Sequence, residues 1–255
     1  MQTNCRRTGE LLVVLLVLTS PSDTAAEESP QSKPLRVALI GDSTVASYAK
    51  PPVDRPDLTG WGQVFGEFFN DRVDVLNHAL SGRSSKSFLR EGHWILVLKA
   101  MPDYIFIQFG HNDQPGKGNR TTDPNGEFKD NLRLYIRDAR EAGAIPVLVT
   151  PVARRTFRNG KPYTTLRPYA DAMLGVGRET KTPVIDLHTA SFKLFEQLGD
   201  EGSADLSAGK SDRTHFSRKG ARRMAKLVAD ALPQAVPELA KLCVAKPNAE
   251  AARSN

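Results

Sequence analysis

Residues 35–44 read LRVALIGDST, a mostly apolar run of six residues followed at once by a polar turn. Such a run is typical of a strand that is buried on both faces of a parallel sheet. Four further short apolar runs recur along the chain. The five strands predicted in this way are Leu35–Ile40, Val73–Ala79, Tyr104–Phe109, Ile145–Val149 and Val184–Leu187.

Helical patterns fall between and after these runs. The predicted helices are Gly60–Asn70, Ser87–Lys99, Glu127–Ala142, Leu166–Thr180, Ser191–Leu198 and Arg218–Leu232. Regular alternation of buried strands with helices predicts an α/β protein, a flavodoxin-like three-layer α/β/α sandwich with a five-stranded parallel sheet. Ligands of such sheets bind at the carboxyl ends of the strands, so candidate functional residues should follow the strands.

The composition is ordinary for a globular protein. Of 255 residues, 40% are hydrophobic and 25% are charged, which excludes collagen-like, disulfide-scaffold and wholly disordered chains. The 35 basic and 29 acidic residues leave a net charge of +6, spread along the chain, which favours an anionic partner only mildly. We expect a monomer without a nucleic-acid partner.

The N-terminus has the pattern of a secretory signal peptide. Two arginines precede an apolar run from Leu11 to Leu18, and small residues lead to Ala26. The run is about half as long as a membrane-spanning helix needs, although an uncleaved anchor is the alternative. We predict a signal peptide at 1–26, a linker at 27–34, one folded domain at 35–245 and a flexible tail at 246–255. The protein would then be exported to the periplasm or the medium, without stable membrane insertion. Its mature chain would keep only Cys243, so no intramolecular disulfide is possible.

Three predicted strands end in residues that can serve a reaction. Ser43 follows the first strand, where a hydroxyl can project into the crevice and backbone N–H groups favour a developing anion. Gly82 follows the second strand and lets a backbone N–H approach a ligand closely, because it has no Cβ. Asn112 follows the third strand and can aim its amide at the same point. Each residue, taken singly, also fits a helix cap or a turn.

Asp212 and His215 lie three positions apart in a late loop, so one turn of chain can set the carboxylate against Nδ1 of the imidazole. Alone, this pair also fits a capped turn. Together the candidates form an acyl-transfer set. Ser43 attacks, His215 takes its proton and Asp212 orients the imidazole, while the Ser43 N–H, the Gly82 N–H and the Asn112 side chain form the oxyanion hole. An acetyl-Ser43 intermediate is our mechanistic hypothesis.

These blocks resemble the SGNH/GDSL hydrolase superfamily. The matching residues are Gly41-Asp42-Ser43, Gly82, Gly110 to Asp113 and Asp212 to His215. The resemblance is closer to the rhamnogalacturonan acetylesterase branch, on Asn77-His78-Ala79, Gly82-Arg83-Ser84, Thr150-Pro151-Val152 with Arg154-Arg155, and Asp212 to Phe216. It implies the flavodoxin-like sandwich and a secreted carboxylic ester hydrolase that acts, without cofactor, on acetyl esters of a pectic polysaccharide.

Two clusters of basic residues follow the second and fourth strands, and we expect both at the crevice. The candidate substrate-binding residues are Arg83, Lys86, Arg154 and Arg155. Guanidinium groups there can bind the carboxylates of an acetylated acidic polysaccharide or oligosaccharide. Ordinary solvated loop charges are the alternative interpretation.

Three other functions compete with this prediction. A metal-dependent phosphoesterase would use Asp42, Asp113, Asp212 and His215, although Thr44 occupies the place where such an enzyme would want a second Asp. A non-catalytic carbohydrate-binding module would use the same crevice with Ser43 as a cap. An esterase or lipase for other acyl esters would want apolar lids, whereas the loops at 114–126 and 199–213 are polar. We expect no metal and no cofactor.

Overall fold

The apolar runs form one parallel sheet in the computed structural model, which describes residues 1–2 and 33–244. Its strands are β1 (Leu35–Gly41), β2 (Val73–Asn77), β3 (Tyr104–Gln108), β4 (Ile145–Val149) and β5 (Val184–Ile185). The strand order is β2-β1-β3-β4-β5, and every neighbouring pair is parallel. β1 therefore lies inside the sheet, β2 lies at the edge on one side of it, and β3, β4 and β5 follow on the other side. The strand order reverses between β1 and β3, so a crevice forms at the carboxyl ends of these two strands.

Helices connect the strands. They are α1 (Trp61–Val64), α2 (Ser85–Arg90), α3 (His93–Lys99), α4 (Glu127–Glu141), α5 (Arg167–Thr180), α6 (Leu187–Gly202), α7 (Arg218–Ala235) and α8 (Pro237–Ala240). Short 3-10 helices cover Phe65–Phe68, Gly118–Arg120 and Ala204–Leu206. A small antiparallel hairpin pairs Phe157–Arg158 with Lys161–Pro162.

Alternate side chains of each strand enter two separate cores. In β1, Val37 and Leu39 face one core, and Ala38 and Ile40 face the other. The first core contains side chains of α1, α6 and α7, and the second contains side chains of α2, α3, α4 and α5. The sheet thus lies between two helical layers, because period-two alternation buries both of its faces. The predicted α/β three-layer fold with a five-stranded parallel sheet is confirmed.

Several predicted boundaries differ from the observed ones. The helix predicted at 87–99 is two helices, because Gly92 between them has a positive φ of 78°. The predicted helix at 60–70 is a four-residue α1 followed by a 3-10 turn. The fifth strand ends at Ile185, since the Asp186 side chain accepts a hydrogen bond from the Thr189 N–H and caps α6. The hairpin at 157–162 had no clear signal in the sequence.

The predicted signal peptide at 1–26 and the tail at 246–255 lie outside the described residues, apart from residues 1–2. Of the predicted linker, only residues 33 and 34 are described. The division of the chain into these segments remains a prediction.

Candidate active site

Ser43 lies in the turn directly after β1. The Asp42 side chain is fully buried and accepts hydrogen bonds from the Thr44 N–H (2.9 Å) and the Thr44 hydroxyl (2.8 Å). The Asp42 carbonyl accepts from the N–H groups of Val45 and Ala46, which closes the turn. These bonds hold the backbone on both sides of Ser43, whose own side chain is nearly buried at the end of the strand.

Asp212 and His215 form the arrangement that their spacing predicted. The Asp212 Oδ1 atom accepts from the backbone N–H groups of Thr214 and His215, both at 2.9 Å, which shapes a tight turn. His215 Nδ1 then lies 2.9 Å from Asp212 Oδ2, and His215 Nε2 lies 2.9 Å from Ser43 Oγ. Residues 172 positions apart in the sequence therefore meet at hydrogen-bond distance.

The surroundings of Asp212 stabilise its ionised carboxylate. Burial raises the pKa of Asp212, but hydrogen bonds from the N–H groups of His215 and Thr214, and the imidazole itself, bring that pKa below its usual value. The carboxylate is thus ionised at neutral pH and can hold the Nδ1 proton of His215. This leaves Nε2 as the nitrogen that can accept the proton of Ser43.

Gly82 and Asn112 lie on neighbouring loops, after β2 and β3. Gly82 has a φ of +79°, a conformation that glycine adopts without strain. The Asn112 side-chain amide donates to the Arg83 carbonyl at 3.1 Å, so Asn112 contacts the segment that contains Gly82. One amide hydrogen of Asn112 is used in this bond, and the other can serve an oxyanion.

A buried Asp–His pair joins the loop of Ser43 to the loop of Asn112. Asp42 Oδ2 lies 3.2 Å from His111 Nδ1, and both side chains are almost completely excluded from solvent. Burial raises the pKa of Asp42, but the charge and hydrogen bond of His111 lower it below its usual value. The pair therefore couples the positions of the candidate nucleophile and one candidate oxyanion donor.

The four predicted substrate-binding cations have different surroundings. Arg83 pairs with Glu91 at 2.8 Å and Lys86 with Glu127 at 3.0 Å. Arg155 is 5% exposed and forms an ion pair with Asp200, so the structure does not bring its charge to the crevice surface.

Arg154 contacts residues next to the candidate catalytic residues. Its Nε donates to the Thr214 hydroxyl at 3.1 Å, and its Nη2 to the His111 carbonyl at 3.5 Å. The guanidinium thus contacts neighbours of both His215 and Asn112.

Arg55 is a site residue that sequence reasoning missed. Its Nη1 donates to Asp212 Oδ2 at 3.2 Å, the same oxygen that faces His215. Arg55 belongs to the loop between β1 and α1, which also pairs with the late loop through a bridge between Thr59 and Phe216. The residue has no motif of its own, and only its contact across 157 positions identifies it.

The carboxylates of the metal-dependent alternative are held by other contacts in the structure. Within residues 1–2 and 33–244, no group of three or more His, Cys, Asp or Glu side chains is placed to hold a metal ion. Asp42 and Asp113 both accept hydrogen bonds within separate buried networks.

None of the helices in this part of the chain is both long and apolar enough to cross a membrane.

A three-layer α/β fold with a Ser–His–Asp set at the carboxyl edge of its sheet defines a hydrolase of the acyl-transfer type. The chain belongs to the GDSL-like lipase/acylhydrolase family, whose family model matches residues 39–223. It is therefore a carboxylic ester hydrolase, and the predicted superfamily is confirmed.

Two curated relatives come from Bacillus subtilis strain 168. The chain is 43% identical to the rhamnogalacturonan acetylesterase RhgT, over 79% of this chain and 91% of RhgT. It is 39% identical to the probable rhamnogalacturonan acetylesterase YesY, over 78% of this chain and 92% of YesY. The predicted resemblance to the rhamnogalacturonan acetylesterase branch is confirmed.

A solved structure shares the fold. The crystal structure of YxiM, also from Bacillus subtilis, superimposes with a TM-score of 0.70 at 30% identity. The match covers 79% of this chain and 57% of the YxiM chain.

Proposed function

We propose that the protein removes acetyl groups from an acidic, rhamnogalacturonan-type polysaccharide through an acetyl-Ser43 intermediate. The observation that carries the reaction is the 2.9 Å contact of His215 Nε2 with Ser43 Oγ, with Nδ1 held 2.9 Å from Asp212 Oδ2. The choice of substrate is supported by the 43% identity to RhgT, which is named a rhamnogalacturonan acetylesterase.

In the first step Ser43 attacks the acetyl carbonyl. His215 Nε2 accepts the hydroxyl proton while the new bond between Oγ and the carbonyl carbon forms. The N–H groups of Ser43 and Gly82 and the side-chain amide of Asn112 donate to the oxyanion. The bond between the carbonyl carbon and the sugar oxygen then breaks. The sugar oxygen takes the proton from His215 and leaves as a hydroxyl group.

In the second step water releases the acetyl group. His215, again neutral, accepts a proton from the water as its oxygen attacks the acetyl carbon. The bond to Ser43 Oγ breaks and Oγ recovers the proton from His215, so acetic acid leaves and ionises in solution. Asp212 stabilises the imidazolium in both steps, because its carboxylate is ionised and bound to Nδ1.

We also propose that the protein is exported and that residues 1–26 are its signal peptide. The support is the pair Arg6 and Arg7, the apolar run Leu11 to Leu18, and the small residues before position 27. N-terminal sequencing of the protein recovered from the periplasm and the medium tests this proposal. A new N-terminus close to residue 27 is expected, whereas a protein that keeps Met1 in a membrane fraction contradicts it.

The experiment for the activity is a measurement of acetate release by the purified protein and its Ser43→Ala and His215→Ala variants. The substrates are acetylated rhamnogalacturonan, acetylated xylan and a small aryl acetate. We expect release from the rhamnogalacturonan, and a loss on the order of a million-fold in either variant. Arg137→Gln, a change at an exposed site on α4, is the matched control and should keep the full rate.

The three substrates separate the reaction from its specificity. Ser43-dependent release from the aryl acetate alone keeps the serine esterase and refutes the polysaccharide assignment. Preference for acetylated xylan assigns a neutral polymer instead. Nearly full activity of His215→Ala refutes the proposed mechanism. If no substrate shows Ser43-dependent release of acetate, the result favours the non-catalytic carbohydrate-binding module.

A further inference from the structure

A cleft of about 570 Å³ opens beside the candidate active site. We call it the Arg154 cleft, and its wall includes Gln114, Lys117, Arg154, Thr165 and Tyr169. Gln114 and Lys117 follow β3, Arg154 follows β4, and Thr165 precedes α5. Its volume is within the range of ordinary ligand pockets, so a sugar ring can enter it.

Arg154 connects this cleft to the proposed reaction. Its contacts with the Thr214 hydroxyl (3.1 Å) and the His111 carbonyl (3.5 Å) place the guanidinium beside the loops of the catalytic imidazole and the oxyanion amide. A group bound to Arg154 therefore lies next to the site of ester cleavage. A carboxylate of the acetylated unit itself, or of a unit near it in the polymer, can occupy such a position.

Arg154 forms no ion pair with a carboxylate within the described part of the chain. Its hydrogen-bond acceptors there are neutral oxygens, of Gln114, Thr165, Thr214 and His111. Arg83, Lys86 and Arg155, in contrast, all form ion pairs with carboxylates. Burial lowers the pKa of Arg154 and outweighs the charge of the buried Asp42 carboxylate, which raises that pKa, so solvent compensates the guanidinium charge poorly.

The guanidinium also has donor capacity to spare. Nε donates to Thr214 at 3.1 Å and Nη1 to Gln114 Oε1 at 2.5 Å. Nη2, in contrast, makes only the 3.5 Å contact with the His111 carbonyl among the described residues, which is at the weak limit of a hydrogen bond. Lys117 adds a second cation to the wall, and the wall contains no carboxylate. The cleft is therefore suited to an anion.

We propose that the Arg154 cleft is a subsite for a uronate unit of the substrate, with the uronate carboxylate bound by Arg154 and its charge further stabilised by Lys117. The choice of a uronate rests on the proposed function, because rhamnogalacturonan carries galacturonate. Arginine suits this task, since its planar N–H groups match the geometry of a carboxylate.

The test is inhibition of aryl acetate hydrolysis by unacetylated trigalacturonate. The readout needs only ester hydrolysis, so it does not depend on deacetylation of the polymer. The variants are Arg154→Gln and Arg154→Lys, with Arg137→Gln as a control that removes one exposed charge elsewhere. Trigalacturonate with all its carboxyl groups methyl-esterified is the matched neutral probe.

We expect trigalacturonate to inhibit the unchanged protein, and its inhibition constant to rise about ten- to a hundredfold in Arg154→Gln, because charge-assisted hydrogen bonds are lost. Arg154→Lys should show a smaller rise and Arg137→Gln none. The methyl-esterified trimer should inhibit the unchanged protein weakly, with no further loss in Arg154→Gln. If Arg154→Gln does not fold, calorimetric titration of both trimers into the unchanged protein and Lys117→Gln replaces it. Tighter binding of the free acid, reduced in Lys117→Gln, is then expected.

An inhibition constant that is equal in the unchanged protein and Arg154→Gln overturns the subsite, even if acetate release from rhamnogalacturonan is found. Equal binding of the acid and methyl-ester trimers overturns it as well. The expected pattern of inhibition without acetate release from rhamnogalacturonan refutes the proposed substrate and leaves the uronate subsite standing.

Discussion

Asp113 is a fully buried carboxyl group directly after Asn112. Its Oδ1 atom accepts hydrogen bonds from the Ser85 hydroxyl (2.6 Å), the Thr122 hydroxyl (2.9 Å) and the Ser85 N–H (3.1 Å). Burial raises the pKa of Asp113 to about 7, against these hydrogen bonds, which lower it. The carboxyl group is therefore neutral in the folded protein under mildly acidic conditions.

This shift makes the stability of the protein depend on pH. In the unfolded chain Asp113 ionises at its ordinary pKa of about 3.9, so between about pH 4 and pH 7 only the folded state keeps the proton. Because the folded state then binds more protons, the free energy of unfolding falls as pH rises, by about 1.4 kcal/mol per pH unit. Over the three units the loss due to Asp113 is about 4 kcal/mol, and it does not grow further above pH 7.

Asp113→Asn tests this account, because asparagine keeps an oxygen acceptor for Ser85 and Thr122 but cannot ionise. The assay is urea unfolding at unit steps from pH 4 to pH 8, for the unchanged protein and the variant. The stability of the variant relative to the unchanged protein should rise by about 4 kcal/mol between pH 4 and pH 7. Asp74→Asn, the same change at an exposed position of β2, is the control and should show almost no such trend.

Two results refute the reasoning. A stability difference between Asp113→Asn and the unchanged protein that is constant with pH means that Asp113 has an ordinary pKa when folded. A difference that falls as pH rises means that the native structure stabilises the carboxylate, the opposite of what its burial implies.

Asn112→Ala should lower kcat about a hundred- to a thousandfold with little change in KM, because an oxyanion donor acts mainly in the transition state. Steady-state kinetics on an aryl acetate check this, and an unchanged kcat contradicts it. Arg55→Met removes a cation that competes with the imidazolium for Asp212, so the acidic limb of kcat/KM against pH should move to higher pH. Arg55→Lys should stay close to the unchanged protein, and a shift to lower pH argues against this role. Gly220→Ala should destabilise the protein by about 3 kcal/mol or more in urea unfolding, since its Cβ would lie 2.0 Å from a backbone carbonyl oxygen. Gly175→Ala, with open space around its Cβ, should instead stabilise α5 by about 0.5–1 kcal/mol. Equal effects of the two glycine changes contradict the steric argument.

The strands and the local part of the site were predictable because their signals are local. The run 35–40 is apolar enough to indicate a buried strand, and the observed β1 extends only one residue further. Asp212 and His215 are three positions apart, and a single turn brings their side chains together at 2.9 Å. Neither prediction needs knowledge of distant residues.

The split of the predicted helix at 87–99 shows where local signals stop. Gly92 has a positive φ and separates α2 from α3, yet glycine inside a helical pattern is also tolerated in a continuous helix. Trp94 of α3 packs on Tyr135 of α4, with ring centroids 4.9 Å apart, so α3 is oriented by a contact outside its own segment. The packing of α3 on α4 therefore determines the direction of α3, which the helix propensity of residues 87–99 does not.

The different surroundings of Arg154 and Arg155 also depend on contacts with distant segments of the chain. Arg154 and Arg155 are neighbours with the same side chain, and the sequence alone made both of them candidates for substrate binding. Arg155 is buried and paired with Asp200, 45 positions away, whereas Arg154 lines the cleft beside the candidate active site. The partner of each guanidinium depends on how α6 and the late loops pack, which no local pattern records.

By itself the sequence determined the α/β class, the order of the strands along the chain, and the residues Ser43, Asp212 and His215 as one candidate set. It did so because periodicity, strand-end polarity and short spacing are properties of neighbouring residues. Only the tertiary structure decided that Ser43 and His215 meet at 2.9 Å, that Arg55 contacts Asp212, and that Arg154 rather than Arg155 faces the cleft. These contacts join segments far apart in the chain, and their distances follow from the packing of whole helices and loops around the sheet.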